Sequence, residues 1–227
     1  MHKIAIHLMQ VRNRIDSAAA SCGRSVDSVQ LLAVSKTRPP ADIRAAYAAG
    51  QHRFGENYLQ EALDKQQQLA DLDIEWHFIG PLQANKTRPV AEHFAWVHSV
   101  DREKIARRLS AQRPASLPPL NICLQVNLDS EASKAGVSLA ELPELLDSVA
   151  ELPNIRTRGL MAIPAPRTDF EHQREALEPL ATALLRLRAS HPALDTLSMG
   201  MSADLEAAVA AGSTMVRIGT DIFGRRD

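Results

Sequence analysis

The chain has 227 residues, enough to bury one full-sized core. Its 26 Lys and Arg stand against 27 Asp and Glu, a formal charge of −1, so no overall basic field exists to gather nucleic acid or anionic lipid. Two distant cysteines, Cys22 and Cys123, suggest neither a disulfide framework nor a cysteine-rich metal site, and no apolar run approaches the ~18 residues of a membrane span; a soluble protein of the reducing cytosol is expected.

A helix over residues 2–20 opens the chain. LLAVSK (31–36) is the first predicted strand, ending in a lysine ahead of Pro39 and Pro40, and ADIRAAYAAG follows with helical spacing. Strands HRFGEN (52–57) and EWHFIG (75–80) flank the helix LQEALDKQQQLA, and WVHSV (96–100) leads into DREKIARRL. Beyond the loop-sized RPASLPP (113–119) come LNICLQVN (120–127), the helix LAELPELLDSVAEL, IRTRGLM (155–161) and the long helix DFEHQREALEPLATALLRLRAS. LDTLSM (194–199), the alanine-rich LEAAVAAG and TMVRIG (214–219) complete the series. Eight near-continuous apolar strands alternating with helices predict an α/β protein, a single-domain (β/α)₈ TIM barrel over residues 1–227. The chain leaves no long helix after strand eight, and the N-terminal helix is expected to cover that gap. An open doubly wound sheet is the alternative.

In such a barrel the carboxyl ends of the strands carry the chemistry. Lys36 is placed there, where partial desolvation favours the neutral amine that attacks a carbonyl to form a Schiff base; a lysine snorkelling to solvent is the plainer reading. SMGMSAD (198–204) puts Ser198, Gly200 and Ser202 in a tight turn, with Ser202 as N-cap of the alanine-rich helix, and VRIGTDIFG (216–224) ends a strand in Gly219 and Thr220. Loops after strands seven and eight recurrently bind phosphate in barrels, although a cap and a turn would by themselves explain these residues. Arg217 shares a strand face with Gly219 and is expected to point inward, either to pair with a carboxylate or to donate to the ring nitrogen of a heterocycle. Asn57 and His77 stand near strand ends, as a helix cap and a core histidine or as pocket groups. GPLQANKT (80–87) differs from the phosphate loop G-x-x-x-x-G-K-[ST] by Asn85, and a barrel is the wrong context for that loop.

In order and spacing, LLAVSKTRP, FGENYLQEALDK, EWHFIGPLQANKT, RGLMAIPAP and LSMGMSADLEAAVAAGSTMVRIGTDIFG resemble the pyridoxal 5′-phosphate homeostasis proteins across nearly the whole chain. The resemblance implies a fold-type III pyridoxal-phosphate barrel related to the N-terminal domain of alanine racemase, with Lys36 holding the cofactor as an internal aldimine. It implies phosphate contacts from Ser198, Ser202, Gly219 and Thr220 with the amides of Met199, Gly200 and Met201, Arg217 facing the pyridine nitrogen, and Asn57 and His77 lining the pocket. No catalytic residue and no metal ligand is implied. An arginine at that place keeps the ring nitrogen unprotonated and weakens the cofactor as an electron sink. Racemases of this fold use a second base supplied with help from a β domain and a dimer interface; the chain leaves no length for such a domain, and its only tyrosines, Tyr47 and Tyr58, fall in predicted helices. The expected function is therefore carriage, buffering and supply of pyridoxal phosphate in the cytoplasm by a monomer, with pyridoxal-phosphate-dependent apo-enzymes as recipients and no nucleic acid or membrane partner. A weak amino-acid racemase and a cofactor-free Schiff-base aldolase acting on sugar phosphates are the alternatives.

Overall fold

Eight parallel strands close on themselves in the computed structural model, which describes residues 2–129 and 135–225. They are β1 (Gln30–Val34), β2 (Arg53–Glu56), β3 (Glu75–Phe78), β4 (Trp96–Val100), β5 (Leu120–Val126), β6 (Ile155–Ala162), β7 (Thr196–Ser198) and β8 (Met215–Ile218). Each pairs with its neighbour in sequence, and β8 returns to β1, so the barrel is closed and the open sheet is ruled out. The helices are α1 (His2–Ser21), α2 (Pro40–Ala48), α3 (Leu59–Gln68), α4 (Thr87–His93), α5 (Glu103–Gln112), α6 (Leu142–Ala150), α7 (Phe170–Leu187), α8 (Leu205–Ala210) and α9 (Thr220–Phe223). No helix among the described residues is long and apolar enough to cross a membrane.

Strand alternation sorts the side chains into two sets. Ala33, Phe54, Phe78, Val97, Ile122, Leu160, Leu197, Val216 and Ile218 join the apolar core between the sheet and the helices. Their strand neighbours Leu32, His77, His98, Cys123, Met161, Ser198 and Arg217 are buried too, and they fill the lumen. Outside the sheet, α1 buries Leu8, Val11, Ile15, Ala18 and Ala19, spaced by three and four or adjacent, against α8, α9 and α2. It thus takes the place in the outer ring that a long helix after β8 would occupy.

Several boundaries differ from the sequence-based expectation. β1 stops at Val34, so Lys36 lies in the following turn and is not the last residue of the strand. Pro40, which lacks an N–H, opens α2 without cost to the helix. α4 was not predicted. It begins at Thr87, the end of GPLQANKT, and the buried Thr87 hydroxyl is enclosed by Ala84 O at 2.9 Å, Gln112 Oε1 at 2.7 Å and Arg108 Nε at 3.1 Å. That segment is a packed corner. The cap residue of α8 is Asp204, not Ser202, and Tyr58 precedes α3 instead of lying within it.

Candidate functional site

The turn after β1 delivers the lysine. Ser35 N–H still pairs with Gly55 O at 3.0 Å, after which the chain leaves the sheet and Arg38 N–H returns to Ser35 O at 3.0 Å. Lys36 is half-buried in this turn. Thr37 beside it has φ 62°, a left-handed conformation that β-branched residues rarely adopt. Three charged side chains that sequence reasoning passed over, Glu56, Glu61 and Lys65, gather around the same turn. The spacing of Glu61 and Lys65, four apart on α3, was the available signal.

The neighbouring strands bring the next groups to the same end of the barrel. Pairing of Ala33 with Ile218 sets Gly219 against Val34, and a Cβ at 219 would lie 3.0 Å from the Val34 carbonyl. Thr220 follows, exposed, at the start of α9. Across β1 the chain leaves β2 at Asn57, whose Oδ1 is buried with no hydrogen-bond partner. Gly80, just past β3, packs against the Asn57 backbone: a Cβ there would sit 2.1 Å from the Asn57 carbonyl oxygen, so no larger residue fits without movement.

The turn after β7 is more occupied than its sequence suggested. Met199 N–H donates to Met215 O at 3.2 Å, and the Met199 side chain lies in the outer core. Gly200, with φ 95°, presses toward α8, where a Cβ would meet that of Ala208 at 2.5 Å. Met201 N–H donates to Asp204 Oδ1 at 2.6 Å. Two of the three amides expected to face a phosphate therefore already have acceptors in this structure. Ser202 O accepts from Arg14 of α1 at 3.2 Å. The same guanidinium binds Glu206 of α8 at 2.9 Å and Asp221 of α9 at 2.6 Å, so it ties the β7 turn to the β8 turn from outside.

Beneath the mouth, the lumen holds a continuous polar chain. Arg217 Nη1 donates to the carbonyl of Ser198 at 2.5 Å and to its hydroxyl at 2.8 Å, and Nη2 donates to Ala162 O at 3.0 Å. Among the described residues no carboxylate pairs with it, so the structural ion pair considered from sequence is absent there. Those bonds use three of five donor hydrogens and leave the Nε–H and one Nη2–H for another acceptor. Burial pushes the guanidinium down to about 10, which still leaves it charged at neutral pH. The Ser198 hydroxyl lies 2.8 Å from His98 Nδ1, and His98 Nε2 lies 2.9 Å from His77 Nδ1. His77 Nε2 is 3.0 Å from Glu75 Oε1, which also accepts from Arg53. Burial lowers the pKa of both histidines, that of His98 well below the ordinary imidazole value. With both neutral and Glu75 able only to accept, His77 must donate from Nε2, His98 must donate from Nε2 to His77, and Ser198 must donate to His98.

This chain places two residues otherwise than expected. The Ser198 hydroxyl is engaged with Arg217 and His98, not with the turns of the mouth. His77 lies lower in the lumen, stacked on Trp96 at 5.4 Å and bonded to Glu75, which lines a polar cavity of about 350 Å³ at the opposite, amino-terminal end of the strands. His98, which sequence reasoning did not single out, links them.

Lys36, the bare acceptor of Asn57 and the spare donors of Arg217 suit an aromatic aldehyde with a ring nitrogen. Among the described residues no three His, Cys, Asp or Glu side chains group to hold a metal ion. The relatives agree with the donor set. A Pseudomonas aeruginosa protein named pyridoxal phosphate homeostasis protein is 60% identical over 227 residues, covering 100% of this chain and 97% of the relative. An Escherichia coli K12 protein of the same name is 57% identical over 230 residues, covering 100% and 98%. The chain belongs to the pyridoxal phosphate homeostasis protein family. The wider family model described as alanine racemase, N-terminal domain, matches residues 6–227, which accounts for the barrel. PipY of Synechococcus elongatus, a member solved with pyridoxal phosphate bound, is 40% identical with a TM-score of 0.84, covering 97% of this homeostasis-family chain and 100% of PipY.

Proposed function

We propose that this protein holds pyridoxal 5′-phosphate at the barrel mouth through Lys36 and carries, buffers and supplies it in the cytoplasm, acting as a monomer without robust catalysis of its own. The observation that carries this reading is Arg217: a charged lumen guanidinium bonded only to neutral acceptors, with two hydrogens to spare, at the same barrel end as Lys36. When bound, the cofactor supplies an aldehyde that an amine can capture reversibly. Lys36 would provide that amine. Arg217 would donate to the ring nitrogen and, being charged, keep it unprotonated, which weakens the electron sink that racemisation needs. Asn57 Oδ1 would gain the partner it lacks here. Ser202, Gly219 and Thr220 would hold the phosphate, with the Gly200 amide and, once Asp204 withdraws, that of Met201. Ser198 would act through Arg217 and not on the phosphate, His77 would act on the pocket through His98 and Ser198, and Met199 would contribute through the position of its backbone. Apo-enzymes that depend on the cofactor are the proposed recipients.

Borohydride reduction of the protein loaded with pyridoxal phosphate, followed by peptide mapping, tests the assignment. A label on Lys36 in the native protein and none in Lys36→Ala is expected. A label of equal occupancy in Lys36→Ala would place the anchor elsewhere. Incubation with single-enantiomer alanine in deuterated water should show no α-proton exchange above background, and robust exchange would support the racemase reading instead.

A further inference from the structure

The segment FGENYLQEALDK contributes Asn57 to the mouth, and its charged residues have as yet no part in that site. Three of them, Glu56, Glu61 and Lys65, form a cluster on the helix side of the sheet. Lys65 Nζ of α3 donates to Glu56 Oε1 at 2.8 Å, to Glu61 Oε1 at 2.5 Å and to the backbone carbonyl of Ser35 at 2.7 Å. Glu56 Oε1 also accepts from the Ser35 hydroxyl at 2.6 Å, and Glu61 Oε1 accepts from the backbone N–H of Thr37 at 2.6 Å. Lys65 and Glu56 are buried, and burial raises the Glu56 pKa even beside Lys65. Residues 35 and 37 are the two chain neighbours of Lys36. Each has a backbone group held by a charged side chain of α3, and one of them, Thr37, is in a backbone conformation it would not choose alone. An ion cluster inserted between sheet and helix adds little net stability over an apolar contact, so stability is a poor account of its presence.

We propose that Glu61 and Lys65, fixed from behind by Glu56, are positioning residues for Lys36: they clamp Ser35 and Thr37 and hold the turn that presents the amine at the mouth. This deepens the functional reading above and rests on it. One short segment thereby links Lys36 to Asn57, since it carries both the clamp residues of α3 and, just ahead of that helix, the pocket amide.

The experiment has one arm that needs no cofactor. Hydrogen exchange at the Thr37 amide reads the clamp directly. In Glu61→Ala it should accelerate about tenfold or more, while the Leu32 amide in β1 keeps its protection. The second arm follows pyridoxal phosphate capture by absorption, with reduced peptides mapped to Lys36. Capture should slow about tenfold in Glu61→Ala, and adding Thr37→Gly should restore most of the rate, because glycine holds a positive φ without a clamp. A merely structural role for Glu61 would lower stability yet leave no reason for rescue at residue 37. Glu61 is partly exposed, so Glu61→Ala is expected to fold. Equal Thr37 exchange in both proteins, or an absent rescue, would overturn the proposal. Should the native protein capture no cofactor while Thr37 protection still depends on Glu61, the functional reading falls and the clamp is upheld.

Discussion

The two ends of this barrel are built on opposite principles. At the amino-terminal end, charges neutralise one another: Arg158 makes three contacts of 2.5–3.1 Å to Asp195 and lies 5.0 Å from the centre of the Trp96 ring, and Arg53 bonds Glu75. At the carboxyl-terminal end, groups are left wanting. Asn57 Oδ1 has no partner, Arg217 has unspent hydrogens, Thr37 is held left-handed, and Gly80 stands where no side chain fits. Satisfied polar groups stabilise a fold, whereas unsatisfied ones cost it free energy until a ligand completes them. The contrast locates the site more sharply than cavity size would, since the charged pairs on the lining of the floor cavity of about 350 Å³, Arg53 with Glu75 and Arg158 with Asp195, already bind one another.

Steric substitution should break the contrast most severely. A Cβ at Gly159 would lie 1.8 Å from Thr196 O, low in the wall, and one at Gly80 would lie 2.1 Å from Asn57 O at the mouth. Both neighbours are backbone and cannot swing aside, so Gly159→Ala and Gly80→Ala should each lose about 3 kcal/mol in urea unfolding. Only Gly80→Ala should also speed cofactor release, because it displaces Asn57. Faster release in Gly159→Ala to the same degree would mean that the two ends are not independent.

The same separation explains what was legible in the sequence. All eight strands were readable, because most are short apolar runs whose alternate residues face two buried layers and the others recur between helical segments. α9 was not, since four residues carry no period, and α4 is seven residues long with Pro89 near its start. The grouping of Lys36, Arg217 and Gly219 was legible because strand order alone brings them to one end. The partners of Ser198 and His77 were not legible, since neither position says which way a hydroxyl or an imidazole will bond. His98 supplies that answer from β4, a strand remote in sequence from β7.

Acid should act on the lumen between the two ends. His77 and His98 are held neutral by burial, whereas in the unfolded chain each gains a proton below about pH 6.5. Below that pH the unfolded state binds more protons, so stability is fully present above it. It falls as the pH drops towards the depressed folded values, by up to about 1.4 kcal/mol per pH unit for each imidazole. Urea midpoints at pH 7, 6 and 5 should therefore decline, and His98→Gln should flatten the decline by about half. An unchanged slope in that variant would show that His98 does not carry the acid sensitivity.

The smallest expected effects distinguish the ends most cleanly, because they compare one residue type in two settings. Arg14 binds the turns after β7 and β8 from outside, with its side chain 37% exposed; Arg158 binds Asp195 at the floor, 26% exposed. Solvent screening limits such partly exposed pairs, so Arg14→Leu and Arg158→Leu should each cost about 1 kcal/mol of stability or less. Cofactor release should respond to only one of them. Loss of Arg14 frees Ser202, Glu206 and Asp221 to move relative to each other, and the dissociation rate should rise a few-fold, roughly what one weak ion pair is worth. Loss of Arg158 touches none of those groups. Matched stabilities with unequal release would show that the outer helix α1 tunes how long the cofactor is held, and equal release would reduce Arg14 to an ordinary surface contact.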